Sequence, residues 1–251
     1  MKILVTNDDG IYSPGIYALW DVAKEFGDVT LVAPNTQKSA VGHAITIANP
    51  LYVTEINRDN GFKGYAVSGT PADCVKIGIK KIMESTPDMI LSGINIGSNL
   101  GNNIIYSGTV AAAIEGAVAG IPSIAFSVDS FNPNSFETSK AVVRKIINLC
   151  LANSLPIGTI LNVNVPHCSL GDLKGYRVTV QGKQYFDDNF DERTDPRGRK
   201  YYWMIGEMVD NDKKPYFDGA AIKNNYASIT PINFEMSNIE YLDQLKKVMK
   251  E

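Results

Sequence analysis

Short apolar runs alternate with helical stripes along the first two thirds of the chain. Ile3-Leu4-Val5 is a continuous apolar run of the kind that fills a strand covered on both faces. Pro14 then opens a pattern in which Ile16, Leu19, Trp20, Ala23 and Phe26 recur at helical spacing, and Gly27 stops it. Residues 28–34 read as a second strand, and 43–56 and 64–68 as less regular extended pieces. Thr70 is placed to cap a helix over 70–83, with Pro71 at its first position. Strands follow at 87–93, 121–127 and 158–166, separated by an alanine-rich helix at 108–120 and an amphipathic one at 137–150. Such alternation predicts an α/β fold of three layers, helices on both faces of a mostly parallel sheet. Right-handed crossovers then gather the functional loops at the carboxyl ends of the strands.

Beyond about residue 175 the texture changes. Aromatic and charged residues crowd 184–206, and 226–234 reads as a late strand before a charged terminal helix. The expected organisation is one domain over 1–251. Its core spans about 1–175, and a hairpin arm, a returning strand and an oligomerisation surface occupy about 176–251.

Composition narrows the class. The 44% hydrophobic and 20% charged content is that of an ordinary soluble protein. A net charge of −3 supplies no basic field for a nucleic-acid polymer. No apolar stretch approaches the ~18 residues of a membrane span, and the N-terminal run is too short for a signal peptide. Cys74, Cys150 and Cys168 are odd in number and widely spaced, with no C-x-x-C pair, so the expected setting is reducing and cytoplasmic.

Four polar clusters follow predicted strands: Asn7-Asp8-Asp9-Gly10, residues 35–46 with Ser39 and His43, residues 92–103 with Asn95 and Asn99, and Tyr106-Ser107-Gly108-Thr109. Each alone has a plain structural reading. Asp-Asp-Gly is a common turn, Ser107 a helix cap, and the Gly/Asn loop ordinary turn chemistry. Lone His43 is as readily structural as functional. Together, at strand ends of one parallel sheet, they share a rim. Two carboxylates with Ser and Asn oxygens form a hard-oxygen set suited to Mg²⁺, Mn²⁺ or Ca²⁺. Ser107-Gly108-Thr109 at a helix start offers N–H and hydroxyl donors to an anion. A cation site beside an anion site is the layout of metal-assisted phosphoester chemistry.

Other templates are absent. There is no phosphate loop of the G-x-x-x-x-G-K-[ST] type and no G-x-S-x-G elbow. Gly93, Gly97 and Gly101 recur every four residues rather than as G-x-G-x-x-G. Adjacent Asp8 and Asp9 do not match the D-x-D of haloacid-dehalogenase-like phosphatases, which stay an alternative. A nucleotide-binding regulatory module without turnover is another.

The segments KILVTNDDGIYSPGI, SAVGHAIT, VSGTPADCVKIGI, PDMILSGINIGSNLG and YSGTVAAAIEGAVAGIPSIAFS together resemble the stationary-phase survival protein E (SurE) family of 5′-nucleotidases. The likeness covers most of 2–127 and returns at 195–199 and 226–232. It implies a Rossmann-like core and a metal-dependent phosphatase of nucleoside 5′-monophosphates, or a broader phosphomonoesterase. It also implies assembly as a homodimer or homotetramer. By position, the resemblance assigns one divalent metal ion per subunit to Asp8, Asp9, Ser39 and Asn95. It assigns the substrate phosphate to Asn99, Ser107, Gly108 and Thr109, and catalysis to Asp8 and Asp9. Whether an aspartate aligns water or attacks phosphorus directly is left open. The chain departs from the family pattern at Phe217-Asp218 and Asn225-Tyr226, where the family often has Thr-Asp and Gly-Tyr. Arg197 and Arg199 beside Tyr201, Tyr202 and Trp203 suit nucleobase stacking or a subunit contact.

Overall fold

The computed structural model describes residues 1–58 and 61–249. In chain order its strands are β1 (Lys2–Thr6), β2 (Asp28–Pro34), β3 (Val53–Asn57), β4 (Lys63–Val67), β5 (Met89–Ile96), β6 (Ser123–Asp129), β7 (Thr159–Pro166), β8 (Tyr176–Val178), β9 (Tyr185–Thr194), β10 (Lys200–Val209) and β11 (Ala227–Asn233). Its helices are α1 (Pro14–Ala23), α2 (Pro71–Ile77), α3 (Gly108–Val118), α4 (Glu137–Ala152), α5 (Asp218–Lys223) and α6 (Ile239–Met249).

Nine strands form one sheet in the order β3-β4-β2-β1-β5-β6-β7-β11-β8. The central run from β4 to β7 is parallel, whereas β3 pairs antiparallel with β4, and β11 antiparallel with β7. The predicted three-layer, mostly parallel α/β fold is therefore the observed one. Alternation along β1 sorts the layers. Ile3 and Val5 pack with α1 and α4 residues such as Leu19 and Val143, while Leu4 faces Cys74 and Val75 of α2 and Ala112 of α3. Each strand thus feeds two cores, which is why its sequence reads as continuously apolar rather than alternating.

The chain leaves β1 through α1 to β2 on one side, then crosses through α2 to β5 on the other. The carboxyl ends of β1 and β5 consequently flank the point where the winding reverses, and a crevice opens there.

Several boundaries differ from expectation. Helix α1 ends at Ala23, short of Phe26. The predicted 70–83 helix is α2 followed by a single π turn over Gly78–Ile82. Residues 43–52 form no strand; the extended piece begins at Val53. Strand β5 runs to Ile96 with a bulge between Ser92 and Asn95, so Asn95 stands on the strand rather than in the loop after it. Short β8 and α5 carry too few residues for a readable period.

Strands β9 and β10, ten residues each, make a separate hairpin whose side chains are nearly all solvent-facing, Phe190, Trp203 and Met204 included. Helix α6 buries no residue. Among the described residues, no helix is long and apolar enough to cross a membrane.

Candidate active site

The opening turn is built by Asn7. Its Oδ1 accepts the Gly10 N–H at 3.2 Å, while its Nδ2 donates to Gly10 O at 3.0 Å and to Ser13 Oγ at 2.8 Å. Ser13 in turn caps α1 by accepting the Ile16 N–H at 3.3 Å. Fully buried Asn7 thereby closes the turn and fixes the start of α1 around it.

Asp8 projects onto the N-terminus of α3. Its Oδ2 accepts the Thr109 N–H at 3.1 Å, and its Oδ1 accepts the Thr109 hydroxyl. A Cβ at Gly108 would stand 2.8 Å from Asp8 Cβ and 3.0 Å from its Oδ2, so only glycine lets the helix come this close. Burial pushes the Asp8 carboxyl up to about 6; the Thr109 hydrogen bonds oppose this, and the neighbouring Asp9 charge adds to it. Asp9 is also raised by burial, against the Ile96 N–H that donates to its Oδ2 at 3.0 Å. Among the described residues its Oδ1 meets only the Gln37 amide, at 3.4 Å, and that same amide donates to Ser39 Oγ at 2.9 Å. The Ser39 loop is held in place by Lys38 N–H to Asp8 O at 2.8 Å and by Gly42 N–H to Tyr106 O at 2.9 Å.

Asn99 sits on a rack of buried amides. Its N–H donates to Asn164 Oδ1 at 2.8 Å, and its carbonyl accepts from Asn162 at 2.8 Å and Asn164 at 3.0 Å. Its own Nδ2 donates to Ser127 Oγ at 2.8 Å. One amide hydrogen of Asn99 is left over from that bond. At the head of α3, the Val110 N–H goes to Ser107 Oγ and the Thr109 N–H to Asp8, while the Gly108 N–H has no partner among the described residues.

A cavity of about 800 Å³ opens beside these groups, reaching the head of α3 at Ser107, while buried Gly108 and Thr109 are not among its lining residues. Asp8, Asp9, Ser39, Asn95, Asn99 and Ser107 line it from the strand ends. Ile105, Tyr106 and the arm residues Tyr185, Phe186, Met204 and Met208 supply its apolar and aromatic wall. Thr109 is fully buried and spends both its donors on Asp8, and Asn95 donates to Gly97 O at 2.6 Å. His43 is not among the cavity's lining residues; its Nε2 meets Glu115 Oε2 at 2.9 Å, where Lys76 also pairs with Glu115 at 2.5 Å. Burial raises the Glu115 carboxyl, but the His43 and Lys76 contacts outweigh it and hold it low.

Among the described residues, no Lys, Arg or His pairs with Asp8 or Asp9, and no three His, Cys, Asp or Glu side chains cluster as a metal centre. What remains is two desolvated carboxylates without a counter-charge, next to Ser and Asn oxygens. That donor set fits a hard divalent cation. Not foreseen from the sequence are the roles of Gln37, of Tyr185, Phe186, Met204 and Met208 in the cavity wall, and of the Asn162–Asn164 rack, whereas Asn7 stands in the first polar cluster without its turn-closing role. The rack had a signal: two asparagines two apart on an apolar strand share one face.

A family model described as Survival protein SurE matches residues 3–188. The 5′-nucleotidase SurE of Thermosipho melanesiensis is 47% identical over 247 residues, covering 98% of this chain and 97% of that protein. The 5′-nucleotidase SurE of Syntrophobacter fumaroxidans is 46% identical over 247 residues, with 98% and 99% covered. The crystal structure of SurE protein from Aquifex aeolicus matches with a TM-score of 0.85 at 39% identity, over 99% of this chain and 100% of that one.

Proposed function

This chain belongs to the Survival protein SurE family, and from that premise we propose that it is a 5′-nucleotidase, hydrolysing nucleoside 5′-monophosphates to nucleoside and phosphate in the cavity above Asp8 and Asp9. The observation that carries the reading is the uncompensated carboxylate pair beside the donor-rich head of α3, enclosed with an aromatic wall large enough for a base.

Asp8, Asp9, Ser39 and Asn95 would hold one divalent cation, Mg²⁺, Mn²⁺ or Ca²⁺. When bound, such an ion supplies Lewis-acid polarisation of a phosphoryl oxygen. The two aspartates divide the remaining work. Asp8 is locked by Thr109 on both oxygens and serves as the fixed anchor, so Thr109 acts through Asp8. Asp9 keeps an oxygen with only a long amide contact, and that oxygen aligns the attacking water. The free Gly108 N–H, the Ser107 hydroxyl and the spare Asn99 amide hydrogen hold phosphoryl oxygens as charge redistributes in transfer. Ile105, Tyr106, Tyr185 and Phe186 exclude water from the nucleoside side.

The arm and α6 expose apolar residues that a soluble monomer rarely leaves open, among them Trp203, Met204, Leu242 and Val248. We read them as covered by further copies of the chain in a homodimer or homotetramer. Three free cysteines suit the reducing cytoplasm.

Phosphate release from AMP and GMP, with and without EDTA and after Mn²⁺ or Mg²⁺ is restored, tests the reading. Release that vanishes in EDTA and returns with metal is expected. Release indifferent to EDTA, or absent with every metal, overturns it.

A further inference from the structure

One buried carboxylate outside the catalytic pair joins the two walls of the cavity. Asp218 opens α5 and is fully buried. Its Oδ2 accepts the Gly101 N–H at 3.0 Å, and its Oδ1 accepts the N–H groups of Gly182 at 3.0 Å and Gly219 at 2.8 Å. These donors come from three separate segments. Gly101 follows the rack-held Asn99 and starts the turn that carries Asn102, Asn103 and Tyr106 into the cavity. Gly182 lies at the root of the arm, just before Tyr185 and Phe186. Gly219 belongs to α5.

Further bonds run along the same seam. The Asn102 N–H donates to Gln184 O at 2.7 Å, and Gln181 Nε2 donates to Gly101 O at 3.0 Å. The approach is tight: a Cβ at Gly101 would come within 2.6 Å of Gln184 N, and one at Gly182 within 2.7 Å of Asp218 Oδ1. No cation pairs with Asp218 among the described residues; three backbone dipoles carry its charge.

We propose that Asp218 is a positioning residue for the substrate cavity: by accepting the backbone N–H groups of Gly101, Gly182 and Gly219 at once, it holds the 101–106 wall and the root of the arm in one register, and so sets the distance between the phosphate end and the nucleoside end. The inference rests on the nucleotidase reading for its assay. Asn99 has its own anchors on β7 and β6, so loosening the seam leaves the phosphate end in place and frees the nucleoside end.

Asp218→Asn isolates the seam. The amide oxygen still serves Gly182 and Gly219, while its NH₂ group meets the Gly101 N–H donor to donor. The metal-loaded wild type and variant are compared on AMP and on phenyl phosphate, which has no nucleoside. The expected result is a KM for AMP raised about tenfold, as the loss of one charge-assisted hydrogen bond gives, with kcat within about twofold. Phenyl phosphate kcat/KM and Mn²⁺ affinity should stay at wild-type values. Gln181→Met removes one neutral bond at the same seam and should give the same selective rise at about threefold. Should Asp218→Asn fail to fold, Gln181→Met decides by the same criterion. An unchanged KM for AMP in a folded variant overturns the proposal. So does a parallel loss on both substrates, which marks a merely structural role. A wild type inactive on AMP with every metal would instead sink the nucleotidase reading itself.

Discussion

Replacing Asp8 with Asn should stabilise the metal-free protein while abolishing its activity. Burial raises the Asp8 carboxyl from 3.8 to about 6 in the folded state. The folded chain therefore holds a proton that the unfolded chain has already released between those values, and stability falls as pH rises through that window. Above pH 6 the full cost stands, about 3 kcal/mol at 1.36 kcal/mol per unit. Asn keeps the shape and one acceptor oxygen. The Thr109 hydroxyl can turn to accept from the new amide, so about 1 kcal/mol of hydrogen bonding is lost. The net gain is about 2 kcal/mol, or about 4–8 °C in Tm for a chain of this size. Thermal melts in EDTA at pH 8 should show it. At pH 5 the wild-type carboxyl is mostly protonated, and the gap should shrink below about 1 kcal/mol. Saturating Mn²⁺ should reverse the order, since a ligand at 100 times its Kd adds about 2.7 kcal/mol to the form that binds it. An Asp8→Asn protein that melts below wild type in EDTA at pH 8 would refute the reasoning.

Asp9→Asn should cost at least ~10²-fold in kcat while raising Tm in EDTA at pH 8, because the freer oxygen does chemistry and burial penalises the charge there as it does at Asp8; steady-state phosphate release and melts measure the two. Gly108→Ala should lose most activity and lower Tm, since a Cβ there would stand 2.8 Å from Asp8 Cβ and push the Asp8 carboxylate off Thr109; paired melts and kinetics read both. Asn164→Leu strands the Asn99 N–H and should cost about 1–3 kcal/mol in urea unfolding. Removal of residues 185–209 should reduce the assembly size seen by light scattering; an unchanged mass would place the contact elsewhere.

The local codes were strong enough to read without coordinates. Ile3-Leu4-Val5 needed only its unbroken apolar run to identify a strand covered on both faces, since each residue feeds one of two helix layers. Pro14 and Thr70-Pro71 announced helix starts through chemistry that acts within four residues. The polar clusters after β1, β2 and β5 were visible for the same reason, because a polar group at the end of a buried strand has to face a crevice. What the tertiary structure alone decided is pairing across distance. Asp8 meets Thr109 because β1 and the β5–α3 connection adjoin at the winding reversal, 101 residues apart in sequence. Asp218 meets Gly101 across 117 residues, and nothing in the local sequence around Phe217-Asp218 announces that partner. Hydrogen bonds reach about 3 Å and carry no signature along the chain, so such partners become legible only when the sheet brings them together.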